Sequence, residues 1–562
     1  MYYLNLIGDL TPIFYLLNFA IMKIIFVTGW TVSGLWKWVV TASISKLLQS
    51  AWLKIWVLKM DPYLQVDAWT MSPYEHWECY VTDDWAETDL DLWNYERFLW
   101  ISLKKENNIT TGQVYLNVIN KERAWEYLGQ TVQIIPHITN EIKDRILQVA
   151  KDFDITLIEV WWTVWDIESA PFLEAIRQLK RDLGRKNVFY IHLSLLLELT
   201  FSGEIKTKPI QHTIIKLREY WITADMLICR TWKQMDSKIK EKISMLCDID
   251  KNKVIEWKNV ATIYRVPEEL KKQNVWKIIL DYFSFDGKKI NLDSWNKIVK
   301  KIENPKKEVT IAIVWKYTKF DDTYKSILES FTHAWANLET KVNINFIESD
   351  ELENPHLTSP KGEEQNNKIL EKYRRKWKLD AILVPWWFWK RGIEWMINAI
   401  SYARKNDIPF LWICLWMQLA VIEFARNVCG LKDANSSEFD KKTQNKVIDI
   451  MENQKNIKVK WWTMRLWAYK AILESWSLVE KLYTKKEVFE RHRHRYEVNP
   501  KYHNILENNW LNLSWKSEDK KLVEFVENNK NTFFIATQAH PEFKSSLEKP
   551  HPLFVGLIRS IK

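Results

Sequence analysis

The chain is expected to fold as α/β, with two successive domains that each carry a parallel sheet flanked by helices. Short β-branched and apolar runs alternate with helical patterns from Lys23 to about Phe285. A Lys- and Asn-rich stretch of weak periodicity follows over 286–307 and reads as a linker, and from Glu308 the alternation resumes to the C-terminus. Strands that alternate with helices pair in parallel, because each crossover helix returns the chain to the same end of the sheet. The 562 residues give roughly two to four domains by length and ample core for each.

Residues 1–21, MYYLNLIGDLTPIFYLLNFAI, are apolar but contain Asp9 and Pro12 and lack a basic leading region. They make a poor signal peptide and a marginal membrane span. A strand begins directly after Met22, so 1–21 is read as a start placed too early, with a membrane anchor as the alternative, and the protein is expected to have no membrane partner.

The first strand, Ile24 to Thr28, runs into a loop with Ser33, Gly34 and Lys37, and a helix is expected from about Val39. Strand, loop, lysine and helix in that order form an anion cradle, since backbone N–H groups and the helix N-terminus face the anion and the ammonium adds charge. Such a loop needs glycine where backbone touches phosphate, yet positions 30, 36 and 38 are Trp. The composition offers a reason. There are 34 Trp and 12 Gly, whereas a soluble chain of this length carries roughly 39 glycines at about 7%. The gene is therefore expected to use UGA for glycine, with most printed Trp letters standing for Gly. The pairs Trp161-Trp162, Trp386-Trp387 and Trp461-Trp462 lie between apolar strands and polar turns, where paired glycines suit the chain.

Further strands are expected at Lys54 to Lys59, Ile155 to Val160, Val188 to Leu193 and Met226 to Cys229, with a helix over Phe172 to Leu183. In the second domain they are expected at Glu308 to Val314, Ala381 to Val384, Phe410 to Cys414 and Phe533 to Thr537. Asn354 to Asn367 and Lys432 to Lys458 are polar and read as exposed loops. The net charge of +10 is spread rather than clustered, which excludes a nucleic-acid patch. Five cysteines without regular spacing imply a reducing, cytoplasmic compartment and no thiolate metal site.

Two constellations carry chemistry. Asp91, in a run of acids from Asp83, and Glu159, at the end of a strand in IEVWWTVWDIES, are hard oxygen donors beside the cradle. Mg²⁺ usually takes one or two such carboxylates together with phosphate oxygens. In PFLWICLWMQ a strand enters Cys414 and then a helix, and with Trp412 and Trp416 read as glycine the segment becomes G-I-C-L-G. That is a nucleophile elbow, in which small neighbours permit the strained turn that exposes the sulfur. TQAHPEF supplies His540 as base and Glu542 to orient it. VPWWFW, read as VPGGFG, supplies backbone N–H groups for an oxyanion hole.

These motifs resemble those of the CTP synthase family from Met22 to the C-terminus. The resemblance is carried by FVTGWTVSGLWKW, KMDPYLQVDAWTMSPYEHWE, DDWAETDLDLWNYERF, Gln133 to Thr139, EVWWTVWDIES, GEIKTKPIQH, LWICLWMQ and ERHRHRYEVN, with Trp read as Gly at many positions. It implies a P-loop synthase domain of the dethiobiotin-synthetase type over 22–285 and a class I glutamine amidotransferase domain over 308–562. It also implies an ATP loop of Ser33, Gly34, Leu35, Trp36, Lys37 and Trp38, joined by Lys59 and Asp91, with Asp91 and Glu159 as Mg²⁺ ligands. UTP and CTP contacts are implied for Ser33, for Asp166, Ile167 and Glu168, for Lys206, Thr207, Lys208, Pro209, Ile210 and Gln211, and for Lys242. Glutamine contacts are implied for Trp387, for Leu415, Trp416, Met417 and Gln418, and for Glu438 and Arg495. Ala539 stands where the family often has an aromatic residue, the segment before Trp461 is short, and the residue after Lys37 is not Ser or Thr.

By the same resemblance, ATP phosphorylates O4 of UTP, ammonia from glutamine displaces the phosphate, and the product is CTP. An interior ammonia channel, GTP activation, CTP feedback, a homotetramer and filaments are implied as well. A different amide ligase, of the cobyrinate type, fits KTKPIQH and the acids near Asp91 less well. A non-catalytic scaffold or filament protein would follow if the Trp letters are real.

Overall fold

The computed structural model describes residues 22–30, 34–68, 71, 78–199, 203–315, 324–348, 370–384, 393–451, 465, 468–475, 477–517 and 521–561. The extension 1–21, Ser33, the loop Asn354 to Asn367 and residues 385–389 of the VPWWFW segment, Trp387 included, lie outside them. Two compact units are present, one of residues up to Met71 with Leu90–Val299, the other of Ser72–Asp89 with Lys300–Lys562.

In the first unit a seven-stranded sheet runs in the order Val254–Lys258, Met226–Thr231, Val188–Leu195, Ile24–Gly29, Ile155–Val160, Ile55–Asp61, Asn108–Thr110. Every neighbouring pair is parallel. Ile24–Gly29 lies at the centre and is buried throughout, as a near-continuous apolar strand must be when helices cover both faces. Its register places Val27 opposite Glu159 and Gly29 opposite Leu193. Glu159 in turn pairs with Lys59 across the next ladder, so three neighbouring strands bring their functional residues out at one edge.

The second unit carries a nine-stranded mixed sheet. Thr340–Glu348, Lys307–Trp315, Ala381–Val384, Phe410–Ile413 and Phe534–Thr537 are parallel. Val523–Asn528, Leu511–Ser517, Ala468–Leu473 and Glu487–Arg491 extend it antiparallel. Phe410–Ile413 stops one residue before Cys414, and the helix Leu415–Asn427 starts one residue after it.

Three expectations change. The helix behind the anion cradle is Lys37–Gln49, two residues earlier than read. The stretch 286–307 contains the helix Asp293–Glu303, in which Trp295 is buried and donates its indole N–H to Tyr264 O at 2.8 Å. Its apolar residues Trp295, Ile298, Val299 and Ile302 share one face at helical spacing. Within Lys432 to Lys458, Lys446–Ile450 is a strand paired with Tyr496–Val498 rather than a free loop.

Candidate active sites

At the carboxyl edge of the first sheet, where ligands bind in open α/β folds, Gly29 ends the central strand. A Cβ built there would lie 2.7 Å from Lys37 Cδ, so glycine lets the lysine fold back across the strand end. Lys37 Nζ donates to Trp162 O at 3.0 Å. Lys59 Nζ lies 2.9 Å from Asp61 and 3.0 Å from Asp91. Asp61 accepts from Asn108 at 2.6 Å and from Tyr63 at 3.2 Å, and Tyr95 donates to Glu159. Lys59, Asp61, Asp91 and Glu159 are all buried.

Burial, and then the charge of Lys59, hold Lys37 below its ordinary value, although Glu159 and Asp91 pull the other way. Burial and then the neighbouring Asp91 push Glu159 up to about 7, against Lys37 and Lys59. A carboxylate whose proton affinity is raised by burial and by a neighbouring carboxylate is one that a divalent cation would relieve, so Glu159 with Asp91 beside it fits Mg²⁺. Among the described residues no third acidic, His or Cys ligand joins them, which leaves the remaining positions to phosphate oxygens and water.

The loop residues sit as expected in sequence but carry bulk. Gly34 has φ +82° and its carbonyl accepts from Arg230 at 2.6 Å, while Leu35 is buried. Trp36 caps the helix in the left-handed region at φ 56°, under the Arg230 guanidinium at 4.4 Å. Trp38 is buried, and its indole nitrogen has no hydrogen-bond partner among the described residues. Of the residues assigned to pyrimidine nucleotide, Thr207, Ile210 and Gln211 are buried and Asp166 and Lys206 are half-buried. Asp166 accepts from Thr163 N at 2.7 Å and Lys206 pairs with Glu204 at 2.6 Å. Ile167, Glu168 and Lys242 are exposed, and Gln211 packs onto Thr207 at 3.1 Å. Lys208, Pro209 and Ile210 open the helix Lys208–Glu219. No ion pair joins the three groups among the described residues.

In the second unit Cys414 has φ 60° and ψ −112°, a backbone state that costs of order 1–3 kcal/mol and persists where surroundings enforce it. Its N–H is tied to Thr537 O at 2.7 Å and its Sγ lies 3.6 Å from Arg493 O. His540 Nδ1 is 2.7 Å from Glu542 Oε1, and the imidazole stacks on Phe543 at 5.1 Å. Binding Nδ1 to the carboxylate fixes the ring so that Nε2 is the working nitrogen. Burial alone would lower the His540 value; the charges of Glu542 and Cys414 outweigh it and raise the group to about 10.

Gln418 donates to Tyr496 O at 2.9 Å and to Gln538 at 3.3 Å, and Gln538 donates to Cys414 Sγ at 3.7 Å. Glu438 and Arg495 both act electrostatically on Tyr496. Leu415 and Met417 open the helix behind the thiol, with Trp416 between them. Gln538 was not singled out from sequence, although it stands two residues before His540 just past a strand end. Tyr95 and Asn108 were missed too, because their partners Glu159 and Asp61 are distant in sequence, and Asp61 was missed although Lys59 and Tyr63 stand two residues to either side.

A thiol on a strained strand-to-helix turn, served by an imidazole–carboxylate pair, performs amide hydrolysis. Buried lysines and carboxylates at the edge of a nucleotide-type sheet serve phosphoryl chemistry, and a chain with both falls in the class of glutamine amidotransferase ligases. The model described as CTP synthase N-terminus matches residues 23–285, and that described as Glutamine amidotransferase class-I matches 319–560. The chain belongs to the CTP synthase family. CTP synthase of Methanocaldococcus jannaschii is 54% identical over 96% of this chain and 98% of its own. That of Methanococcus maripaludis is 52% identical over 96% and 99%. Among solved structures, the glutaminase domain of Trypanosoma brucei CTPS with bound acivicin is 36% identical, over 45% of this chain and 93% of that one, with a TM-score of 0.40.

Proposed function

We propose that the protein aminates UTP to CTP at the expense of ATP, with ammonia from glutamine, as a step of pyrimidine nucleotide synthesis in the cytoplasm. Full-length identity of 54% to a CTP synthase supports the reading most directly. Lys37 and Lys59 neutralise charge on the transferring phosphoryl group as O4 of UTP is phosphorylated. Asp91 and Glu159 hold Mg²⁺, which supplies further charge neutralisation. Cys414 Sγ attacks the glutamine amide, His540 protonates the departing ammonia, and water releases the γ-glutamyl thioester. Ammonia then passes through an interior channel to the phosphorylated pyrimidine, since free ammonia would protonate in water. GTP activation, CTP feedback at 166–168, 206–211 and Lys242, a homotetramer and filaments belong to the same reading. Purified protein with UTP, ATP and Mg²⁺ should form CTP from either glutamine or ammonium; formation from neither would overturn it.

The raised His540 value sets a pH expectation. A group held protonated up to about 10 supplies its proton below that pH and loses it above. Glutamine hydrolysis should therefore fall as pH passes through about 10, measured as ammonia release with UTP and ATP saturating.

We further propose that most printed tryptophans are glycines in the protein, through a UGA codon read as glycine. Seven of the sixteen non-glycine residues with positive φ among the described residues are Trp: 36, 52, 85, 100, 125, 221 and 510. All seven are exposed. A bulky side chain in that region costs about 1–2 kcal/mol, and glycine none. Trp100 ends the helix Asp91–Leu99 in the left-handed state that glycine ordinarily takes. Trp412 is fully buried with its indole nitrogen unpaired among the described residues, 4.0 Å centroid to centroid from Phe410, closer than the 4.5–7 Å at which aromatic pairs settle. Trp295, with its paired indole and helical setting, is by contrast a tryptophan that fits. Mass spectrometry of a peptide spanning Leu35 to Val39 should show glycine at 36 and 38; two indoles there would end the proposal.

A further inference from the structure

Within the second unit, Cys79–Val81 and Glu87–Asp89 form an antiparallel hairpin, although in sequence it lies between Lys59 and Asp91. Asp83 and Glu87 each stand one arginine from a different member of the Cys414–His540–Glu542 group, and Glu78, which leads into the hairpin, stands two serines from the third. Arg491 Nε donates to Asp83 at 2.6 Å, and Arg491 O accepts the His540 backbone N–H at 2.8 Å. Arg493 Nε donates to Glu87 at 2.8 Å, and Arg493 O accepts from Cys414 Sγ at 3.6 Å. Ser326 Oγ donates to both Glu78 oxygens at 2.7 and 2.6 Å. One turn on, Ser330 Oγ reaches Ser326 O at 2.7 Å and Glu542 O at 3.4 Å.

The packing repeats the pattern. Tyr80 is fully buried, accepts from Arg491 and meets Phe543 edge-on at 5.2 Å, and Phe543 is the ring on which His540 stacks. Buried guanidinium groups without carboxylate partners are strongly destabilised, so Asp83 and Glu87 fix where these arginines, and the carbonyls attached to them, can lie. The 491–493 backbone is the only structure on which both the thiol and the imidazole backbone lean among the described contacts of Cys414 Sγ and His540 N.

We propose that Glu78, Asp83 and Glu87 are positioning residues for glutamine hydrolysis, the hairpin holding the backbone carbonyls and helix turn against which Cys414, His540 and Glu542 are aligned. This rests on reading those three as the hydrolytic group. It assigns to a stretch of the N-terminal half a part in the chemistry of the C-terminal half. Burial first, and then Glu542, push Glu78 up to about 8, so at neutral pH a glutamine there reproduces its charge state.

The test uses the full chain with Asp83→Asn, Glu87→Gln, Glu87→Asp, Glu78→Gln and Glu78→Ala. For Asp83→Asn and Glu87→Gln, kcat for glutamine hydrolysis should fall about tenfold, the scale of a small misplacement of reacting groups, with KM for glutamine unchanged. The pH profile of Cys414 alkylation by iodoacetamide should shift with it, while CTP formation from ammonium stays at the parent rate. Glu87→Asp should restore part of the loss, and Glu78→Gln should outperform Glu78→Ala. An unchanged kcat in both charge-removing variants, or an equal fall with ammonium, would overturn the proposal. Failure of the hydrolytic reading looks different: Cys414→Ala would then still hydrolyse glutamine.

Discussion

Cys414→Ala should abolish CTP formation from glutamine and leave formation from added ammonium intact. The sulfur is the only atom in this arrangement that can form the acyl intermediate. Gln538 and the Arg493 carbonyl hold it in place but cannot replace it. Loss of a nucleophile from such a unit costs on the order of 10³-fold or more, and the partners' contributions vanish with it. Lys37, Lys59, Asp91 and Glu159, proposed for phosphoryl transfer, belong to the other compact unit, so alanine at 414 leaves their charges and contacts as they are. CTP formation followed with glutamine and, separately, with ammonium chloride reads both halves. Loss of both activities would mean that the two chemistries are not divided as assigned, and survival of the glutamine-driven rate would remove Cys414 from the mechanism.

Sequence pattern was most informative where burial dictates residue type. Ile155–Val160 and Ala381–Val384 have the bounds expected from their apolar runs, because a strand covered on both faces admits little else. The strand-to-helix turn at Cys414 was legible for a related reason: an apolar run ends there and a helical pattern follows. The hairpin was not legible as part of the second unit. Its strands are three residues each, too short to show alternation, and its acids find arginines about four hundred positions away in sequence. Charge pairs over that separation leave no local signature. The helix Asp293–Glu303 was hidden by its lysines and by Trp295, whose letter elsewhere marks a turn. The 166–168, 206–211 and Lys242 groups were joined by resemblance alone, and nothing in their local patterns links them.

Lys37→Ala should abolish CTP formation with glutamine and with ammonium alike. The ammonium of Lys37 is held by the Trp162 carbonyl within a buried cluster whose other cation, Lys59, is already committed to Asp61 and Asp91. Removing Lys37 therefore leaves the transferring phosphoryl group without the one lysine on the cradle itself, and Lys59 cannot move to replace it without uncovering two buried carboxylates. Deleting one preorganised electrostatic donor costs about 10²–10³ in kcat. Here the loss should be larger, because Glu159, which Lys37 now restrains, would take up a proton more readily and hold a cation less well. Glutamine hydrolysis measured without nucleotides depends on none of these groups and should persist. Ammonium-driven turnover near the parent rate would place ATP elsewhere, and loss of nucleotide-free hydrolysis would show that the variant damages the fold rather than the site.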